Sequence, residues 1–415
     1  MNAISLAGAM TSGHRPGTVV NGGVRMYNRL NDEHYYRKFY FQDSFHAQCV
    51  DVNSLSMIQF DRAAAQVHTV LKHEAVRKAK RVIATGCGDS NLVAFVLKEA
   101  FARYLPDVEY VAVEAIELSR HFEFPEDCSD TVALFISVSG GIFRTIEAMR
   151  QCKRHGVTTI GVTANTGSPT AQEADILYFH NCPPGDNNAG LRTIYINIIT
   201  VMILAAAMAE QRTGEPKVAQ LREQVQKYHD EFFARFDNID DMCFETAIHW
   251  MDTKKALEIM GDGPMFWAGK IIQAKVVELS GDPCTVIDSE NYMHVNSLMG
   301  PGEEIGEIVL VNSHDDNVSN IARAVNAAAG RDGREVLLLS DAAPEALGIT
   351  VPVRWCYVPM PEKEWTFLAQ LYAFLPGALF GGFRHTTIGE PMFRGGMDTS
   401  IFVPTYFSPI DVVEN

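Results

Sequence analysis

The sequence predicts an α/β protein made of two units, each with a doubly wound parallel sheet. Short β-branched segments alternate with helical ones, as RVIAT at Arg81–Thr85 does with the helical segment at 91–104. Strands that alternate with helices imply βαβ crossovers and a parallel sheet. The same order of elements begins again at residue 256, about 175 residues after residue 81 (256 − 81). This spacing indicates an internal duplication of a whole unit.

The first unit is predicted over residues 75–235. Its strands are expected at Arg81–Thr85, Val108–Val113, Thr131–Ser137, Thr158–Thr163 and Ile176–Phe179. A long helical stretch then runs from 189 to 236 and breaks near Gly214-Glu215-Pro216, because glycine and proline interrupt helices. The part from Thr193 to Ala209 is apolar enough to resemble a membrane span. It is short and contains Asn197, so it is predicted to be a buried core helix.

The second unit is predicted over residues 236–380. Its strands are expected at 256–260, 307–312, 335–340 and 354–358, and its helices at 266–279, 318–329 and 364–375. Residues 1–74 are predicted to form an N-terminal arm followed by helices. Residues 381–415, which are rich in Gly, Arg and Thr, are predicted to form an irregular C-terminal tail.

The charge and the cysteine pattern exclude several classes of protein. The formal net charge is −16, which repels nucleic acid and anionic membranes, so neither is an expected partner. The eight cysteines are scattered without zinc-ligand spacing, which predicts reduced thiols, no metal and a cytoplasmic protein. The first residues do not have the pattern of a secretory signal.

Two turns of small residues directly follow predicted strands of the first unit. They are Gly86-Cys87-Gly88-Asp89-Ser90 and Ser137-Val138-Ser139-Gly140-Gly141. Each runs into a helix, so backbone N–H groups and hydroxyls at the positive helix end could bind an anion. Either turn alone is equally explained by ordinary turn chemistry. Neither has the spacing of a P-loop or of a dinucleotide fingerprint, so no nucleotide cofactor is expected.

The same residues carry a resemblance to a known family. The signature residues are Gly86, Gly88 and Ser90, then Ser137, Ser139 and Gly140, then Thr163, Ser168, Pro169, Ala174 and Asp175. In this order and spacing they resemble the sugar isomerase (SIS) domain, over residues 75 to 185. The resemblance implies two tandem SIS domains, each a five-stranded parallel sheet sandwiched by helices, and a phosphorylated sugar as ligand.

The second unit is similar to the isomerase domain of glutamine–fructose-6-phosphate aminotransferases and to fructoselysine 6-phosphate deglycases. The similar segment is MFWAGKIIQAKVVELSGDPCTVIDSENYMH. The resemblance implies that Glu278 moves a proton and that His294, sixteen residues later (294 − 278), helps to open the sugar ring, often from a neighbouring subunit. A homo-oligomer, dimer or tetramer, is therefore expected.

The residues themselves are compatible with these roles without requiring them. A carboxylate in a partly dry cleft can have its pKa raised towards neutrality, and histidine can donate and accept protons near neutral pH. Glu278 follows Val276 and Val277 on an apolar helix, which favours an interior position. Taken alone, Glu278 is equally an exposed helix carboxylate and His294 a locally bonded loop histidine.

The sequence also departs from the family pattern. Ile142 stands where the family's anion turn has a threonine; Thr145, one helical turn later, could replace it and Arg144 could add charge. The family's C-terminal lysine has no counterpart, and His385, Arg384 and Arg394 are candidates to complete the site, unless this segment is a surface tail. The second unit has Asn312-Ser313-His314-Asp315 in place of the serine turn, so one sugar site per chain is expected.

Three functions remain open at this stage. The first is aldose–ketose isomerisation of a sugar phosphate through an enediol. The second is a deglycase or deaminase that releases an amine from a 6-phosphorylated amino-sugar adduct, because both reactions begin with the same proton abstraction. The third is a sugar-phosphate-binding regulator without catalytic activity, which the lack of a basic helix-turn-helix pattern disfavours.

Overall fold

Two five-stranded parallel sheets form the centre of the protein. The computed structural model describes residues 19–20, 23–24, 43–183, 189–388 and 392–394. The strands of the first sheet are β1 (Arg81–Gly86), β2 (Glu109–Ala112), β3 (Thr131–Ile136), β4 (Thr158–Thr163) and β5 (Ile176–Phe179). Those of the second are β6 (Ala256–Met260), β7 (Cys284–Ile287), β8 (Ile305–Val311), β9 (Glu335–Ser340) and β10 (Arg354–Tyr357). Val19–Val20 and Gly23–Val24 form a separate antiparallel pair.

The two sheets have the same topology. The strand order is β2-β1-β3-β4-β5 in the first sheet and β7-β6-β8-β9-β10 in the second, with every pairing parallel. The predicted fold class and duplication are therefore confirmed. Strand β7 was not predicted from the sequence, because its four residues are partly exposed and show no alternation. The domain boundary between residues 235 and 236 stays a prediction.

Helices cover both sheets and connect them. Before and within the first unit they are α1 (Asp43–Leu71), α2 (Glu74–Lys78), α3 (Asp89–Val96), α4 (Lys98–Tyr104), α5 (Ala115–Arg120), α6 (Phe143–Arg154), α7 (Pro169–Glu173) and α8 (Arg192–Thr213). The others are α9 (Lys217–Phe233), α10 (Phe236–Trp250), α11 (Pro264–Leu279), α12 (Ser289–His294), α13 (Val318–Gly330), α14 (Pro344–Leu347) and α15 (Leu375–Ile388). Short 3-10 segments lie at Asn296–Leu298, Gly302–Glu304, Lys363–Leu371 and Met392–Arg394.

Continuous apolar runs mark the elements that are covered on all sides. All six residues of β3 are buried, as expected for a central strand with helices on both faces. Two segments, Arg192–Thr213 and Lys363–Ile388, are long and apolar enough to cross a membrane, but 89% and 94% of their most apolar windows are buried inside the protein. The interpretation of Thr193–Ala209 as a core helix is confirmed.

The prediction that irregular structure begins at residue 381 is wrong for 381–388. Helix α15 continues to Ile388 and packs against α11. Glycines suggest a loop by propensity, but here they allow close helix packing: a Cβ on Gly377 would overlap Ile272, and one on Gly381 would lie 3.4 Å from Val276 Cγ2. Residues 395–415 lie outside the described part of the chain.

Arg384, a candidate site residue, has a structural role in α15. Its guanidinium forms a bidentate pair with Asp282, at 3.0 and 3.1 Å, and donates to the carbonyl oxygens of Trp250 and Lys254. It therefore anchors α15 to the end of α10 and to the loop that follows α11. Because these four bonds hold the guanidinium inside the fold, they support a structural role for Arg384 in place of the predicted role in the site.

The duplication extends to the backbone of the turns that precede α3 and α11. Gly88 has φ 58° and ψ −130°, and Gly263 has φ 52° and ψ −123°, a region that residues with a side chain rarely adopt. A Cβ on Gly86 would lie 2.6 Å from the Ser90 carbonyl carbon, and one on Gly261 would lie 2.8 Å from that of Met265. The Gly261-Asp262-Gly263 turn is thus the counterpart of Gly86-Cys87-Gly88, which the sequence comparison of the halves missed.

Gly88→Ala should destabilise the protein by about 1–3 kcal/mol, because alanine is strained at this φ and ψ although no atom lies within 4 Å of the new Cβ. Urea denaturation measures the loss. Gly141→Ala is the matched control, since its Cβ also meets nothing within 4 Å and its φ is not positive. Equal midpoints for the two variants would contradict the assigned backbone conformation.

Candidate functional site

The two small-residue turns lie side by side at the carboxyl edge of the first sheet. The Ser137 hydroxyl accepts from the Gly140 N–H at 3.2 Å, and the exposed Ser139 hydroxyl accepts from the Gly141 N–H at 3.4 Å. Gly140 has φ 67°, and a Cβ there would overlap Ser168. The second turn therefore requires glycine for both its dihedral angles and its packing.

A contact between side chains links the two turns. Cys87 Sγ lies 3.6 Å from Thr145 Oγ1, and Thr145 is fully buried on the first turn of α6. Ser90 lies in the first turn of α3 and packs against Gly86. The predicted anion-binding residues of both turns are thus brought together at the start of two neighbouring helices, where unpaired backbone N–H groups favour an anion.

Helix α11 of the second unit contributes two charged side chains at this edge. Lys275 Nζ donates to Asp89 Oδ2 at 2.7 Å and to Glu278 Oε2 at 2.5 Å, and Lys275 is completely buried. An ammonium from one unit is therefore held between a carboxylate of its own helix and a carboxylate of the other unit. The sequence argument named Asp89 and Glu278 but missed Lys275. The sequence feature that could have identified Lys275 is its position three residues before Glu278 on a largely apolar helix, because residues at this spacing lie on the same helix face.

Burial and charge set the protonation of this cluster. Burial raises the pKa of Glu278 above its ordinary value; Lys275 opposes this shift, and the charge of Asp89 adds to it. Burial lowers the pKa of Lys275, but Asp89 and Glu278 outweigh it, so the net shift is upward and the ammonium stays charged. A glutamate with a raised pKa beside a fixed cation is suited to accept and return a proton near neutral pH.

Asp89 has an oxygen that nothing in the described chain satisfies. Its Oδ1 atom is buried without a hydrogen-bond partner among the described residues, while its Oδ2 atom bonds Lys275. A buried acceptor of this kind is costly unless something donates to it. Asp89 Oδ1 is therefore able to accept a hydrogen bond from a group outside the described residues.

The corresponding edge of the second sheet is filled by the protein itself. The Ser313 N–H and hydroxyl donate to the two oxygens of Asp341, at 2.8 and 2.7 Å. Asp341 follows the end of β9, whereas Ala164 follows the end of β4 in the first unit. A carboxylate thus occupies the donors that an anion would need, which supports the expectation of one sugar site per chain.

Other signature residues support the turns from behind. Ser168 caps α7 by accepting from the Ala171 N–H at 3.3 Å. Asp175 accepts from the backbone N–H and the hydroxyl of Thr159, at 2.9 and 2.7 Å. The Ser168 bond stabilises the start of α7, and the Asp175 bonds tie the start of β5 to the start of β4. Asp175 therefore lies at the amino ends of the strands, away from the two turns.

His294 is not part of this cluster in the single chain. It ends α12 with 67% of its side chain exposed, and its Nε2 atom lies 2.9 Å from Glu290 Oε1. Exposed apolar side chains surround it in sequence: Met293, Val295, Leu298 and Met299. We call residues 293–299 the histidine surface. Its apolar character is unusual for a segment that faces only water.

The other two C-terminal candidates for the site are His385 and Arg394. His385 is buried, with 3% exposure, on α15, the helix that packs on α10 and α11. It is therefore a core residue next to the helix of Lys275 and not part of a surface tail. Arg394 ends the 3-10 segment Met392–Arg394, and its side chain lies outside the described part of the structure. The roles of both stay predictions.

No group of three or more His, Cys, Asp or Glu side chains within the described residues is arranged to hold a metal ion. All eight cysteines lie in the described part, and their thiols are free. The groups that the described residues bring to this edge are backbone N–H groups, hydroxyls and the side chains of Asp89, Lys275 and Glu278.

The fold and this edge define a duplicated α/β protein with one polar site between its two units. Residues 75–207 match the model of the SIS domain family. The matched segment contains the whole first sheet and both turns. The match confirms the resemblance seen in the signature residues.

Whole-chain comparisons agree with this assignment. A glutamine–fructose-6-phosphate aminotransferase of Chlorobaculum tepidum is 24% identical over 292 residues, which are 69% of this chain and 45% of that protein. The chain thus spans about half the length of the curated relatives it matches.

Two solved structures share the fold. A candidate phosphosugar isomerase of Clostridium difficile superposes with a TM-score of 0.73 at 14% identity, covering 90% of this chain and 99% of that one. The C-terminal domain of the Francisella tularensis glucosamine-fructose-6-phosphate aminotransferase gives a TM-score of 0.70 at 15% identity, covering 82% and 96%. The tandem architecture is therefore that of SIS phosphosugar isomerase structures.

Lys275→Met should destabilise the protein by about 3–5 kcal/mol at pH 8, because it leaves Asp89 and Glu278 without their shared cation. The loss should be smaller at pH 5. A carboxyl whose folded pKa is raised loses stability as the pH rises from its ordinary pKa through the raised one. Chemical denaturation at both pH values measures the difference.

Lys270→Met is the control for this variant, because Lys270 lies on the same helix, is only partly buried and has a weak 3.5 Å bond to Gln273. Its effect should be small at either pH. A loss in Lys275→Met that does not change with pH would show that the ammonium does not balance buried carboxylates.

Proposed function

We propose that this chain is an aldose–ketose isomerase that acts on a phosphorylated sugar bound between its two units. The observation that carries the proposal is the buried contact of Lys275 with Asp89 and Glu278. It supports the proposal because Glu278, the candidate proton-transfer group of the second unit, lies beside Asp89 in the first of the two candidate anion-binding turns. A regulator that only bound the sugar would have no use for a partly buried glutamate with a raised pKa beside a completely buried ammonium.

The proton transfer follows from these groups. The phosphate binds at the turns around Ser90 and Ser139 and fixes the chain of the sugar along the edge. The Glu278 carboxylate removes the proton from C2 of the open aldose, the C–H electron pair forms the C1–C2 double bond, and the C1 oxygen takes up a proton from solvent to give the enediol. Glu278 then returns its proton to C1, and the C2 hydroxyl loses its proton to solvent as it becomes the ketone, so the net result is transfer of one proton from O2 to O1 and of one from C2 to C1. No electrons leave the substrate, so no redox cofactor is needed.

Lys275 has two functions in this reaction. Its ammonium keeps part of the Glu278 population ionised despite burial, and it is available to stabilise negative charge that develops on the substrate oxygen. Both effects are strong because the ammonium is completely buried and therefore poorly screened. Asp89 holds the ammonium in place, which limits the reorganisation needed during the reaction.

We also propose that the site is completed by a second copy of the chain. His294 lies in the exposed, apolar histidine surface, with Leu298 84% and Val295 60% exposed. A twofold-related copy that covers this surface would bury these side chains and could bring its His294 to the Glu278 of the first copy. The histidine would then donate to the ring oxygen while the anomeric hydroxyl loses its proton, which opens the sugar ring.

Co-expression of a Glu278→Gln copy with a His294→Ala copy tests this arrangement. Each variant alone should be inactive on the ring form. If His294 acts across the interface of a dimer, mixed dimers have one intact site in two, and random mixing restores about a quarter of the wild-type activity. Different affinity tags isolate the mixed dimer. Isolated mixed dimers with no more activity than the parent variants would show that the histidine acts within its own chain.

Asp89 favours a second candidate function. With Asp89 and Glu278 ionised, two carboxylates face one ammonium, and Asp89 Oδ1 lacks a donor among the described residues. A protonated amine on the substrate would supply both the charge and the donor. The same proton abstraction by Glu278 would then lead, with one water consumed, to cleavage of the C–N bond of a 6-phosphorylated amino-sugar adduct.

Glu278→Gln should lower the rate of proton exchange by about 100-fold or more, because the amide cannot accept the proton. Sugar phosphates and amino-sugar phosphates are incubated with the enzyme in heavy water. Deuterium uptake at C1 or C2, followed by NMR, reports proton transfer, and amine release identifies the second candidate function. The wild-type rate should fall as the pH falls through the Glu278 pKa, which burial raises above the ordinary glutamate value.

Glu223→Gln, on the exposed side of α9, serves as the control and should keep the wild-type rate. Undiminished exchange in Glu278→Gln would remove Glu278 as the base. No exchange and no amine release by the wild type across the panel would remove the proposed catalytic function itself.

A further inference from the structure

Two arginines share one buried glutamate beside the anion-binding turns. Glu147 on α6 has 1% exposure and accepts from Arg120 Nη2 at the end of α5 and from Arg144 Nη1 on its own helix. Both arginine side chains are partly exposed, at 22% and 28%. The three residues together carry one net positive charge, in a protein whose net charge is −16.

The position of Arg144 places this charge at the turns. Arg144 is the second residue of α6, three residues after Gly141 and next to Thr145, whose hydroxyl contacts Cys87. Burial raises the pKa of the Cys87 thiol, and both the Thr145 hydrogen bond and the charge of Arg144 oppose that shift. The guanidinium therefore acts on the first turn as well as on the second.

The site needs a positive charge that its other residues do not provide. Asp89, Lys275 and Glu278 together carry one net negative charge when both acids are ionised, which disfavours a phosphate dianion. Ile142, at the start of α6, offers no hydroxyl. The Ser137 hydroxyl accepts from the Gly140 N–H and keeps its own O–H as a donor, but it carries no charge. A guanidinium is the group best suited to bind a phosphoryl group, with two parallel charge-assisted hydrogen bonds.

We propose that Arg144 binds the phosphoryl group of the substrate and that Glu147 and Arg120 hold it ready to do so. This inference rests on the proposed function in that the ligand is a phosphorylated sugar. In the ligand-free chain Arg144 is paired with Glu147. When it turns to the phosphate, Arg120 remains on Glu147, so the buried carboxylate keeps a cationic partner and the movement costs little. Arg144 is thus a specificity-determining residue for a dianionic ligand.

Isothermal titration with inorganic phosphate, glucose 6-phosphate and glucose tests the proposal. Arg144→Gln should weaken binding of both phosphorylated probes about 10- to 100-fold and leave the weak binding of glucose unchanged. Arg150→Gln is the matched control, because Arg150 lies on the same helix and pairs with the carboxylate of Glu173 at 3.1 and 3.2 Å. It should bind all three probes like the wild type.

The Glu147→Gln variant tests whether Glu147 positions Arg144 or only changes the local charge. The substitution removes a negative charge near the turns. If charge alone matters, phosphate should bind more tightly; if Glu147 positions Arg144, phosphate should bind more weakly. Tighter binding by Glu147→Gln, or equal phosphate affinities of Arg144→Gln and the wild type, would overturn the proposal.

These measurements distinguish failure of the inference about Arg144 from failure of the proposed isomerase function. If the wild type binds phosphate and Arg144→Gln does not, the inference stands even when no proton exchange is found, and only the isomerase proposal fails. If proton exchange occurs and Arg144→Gln binds phosphate normally, the isomerase proposal stands and the inference fails. A wild type that binds no phosphorylated probe would overturn both.

Discussion

The completely buried ammonium of Lys275 is the interaction on which the rest of the site depends. A charge removed from water must be paired closely, and here its partners come from both units: Glu278 from its own helix and Asp89 from the first unit. The pairing therefore fixes how α11 sits over the edge of the first sheet. It also sets the proton affinity of Glu278. One ion-pair cluster thus joins the two units and influences the proton affinity of Glu278.

The two units show how a duplicated fold acquires a single site. Both keep the same strand order and the same glycine turn, with Gly88 and Gly263 in nearly identical conformations. In the second unit Asp341 accepts from the Ser313 N–H and hydroxyl at the sheet edge, whereas in the first unit the residue after β4 is Ala164, which has no carboxylate. The second unit instead contributes the helix that carries Lys275 and Glu278. The division of roles rests on a few side chains and leaves the backbone unchanged.

Charge is distributed in the site along the direction a sugar phosphate would lie. Arg120, Arg144 and Glu147 give a positive region beside the turns, and Asp89 and Glu278 give a negative one around Lys275. Such a gradient orients a ligand with a phosphate at one end and a neutral or cationic group at the other. The histidine surface supports the proposal of a second copy, because exposed apolar side chains are typical of a surface that a partner covers.

The sequence by itself determined the α/β class, the duplication, the burial of Thr193–Ala209 and the two anion turns, because these follow from periodicity and from residues that permit only a few backbone conformations. It did not show that Gly377 and Gly381 lie in a helix, since propensity alone reads glycine as loop, nor that Lys275 joins Asp89 to Glu278. That contact links residues 186 positions apart. Only the tertiary structure decides which distant charges meet, because burial and mutual contact raise the pKa values of Lys275 and Glu278 above their ordinary values.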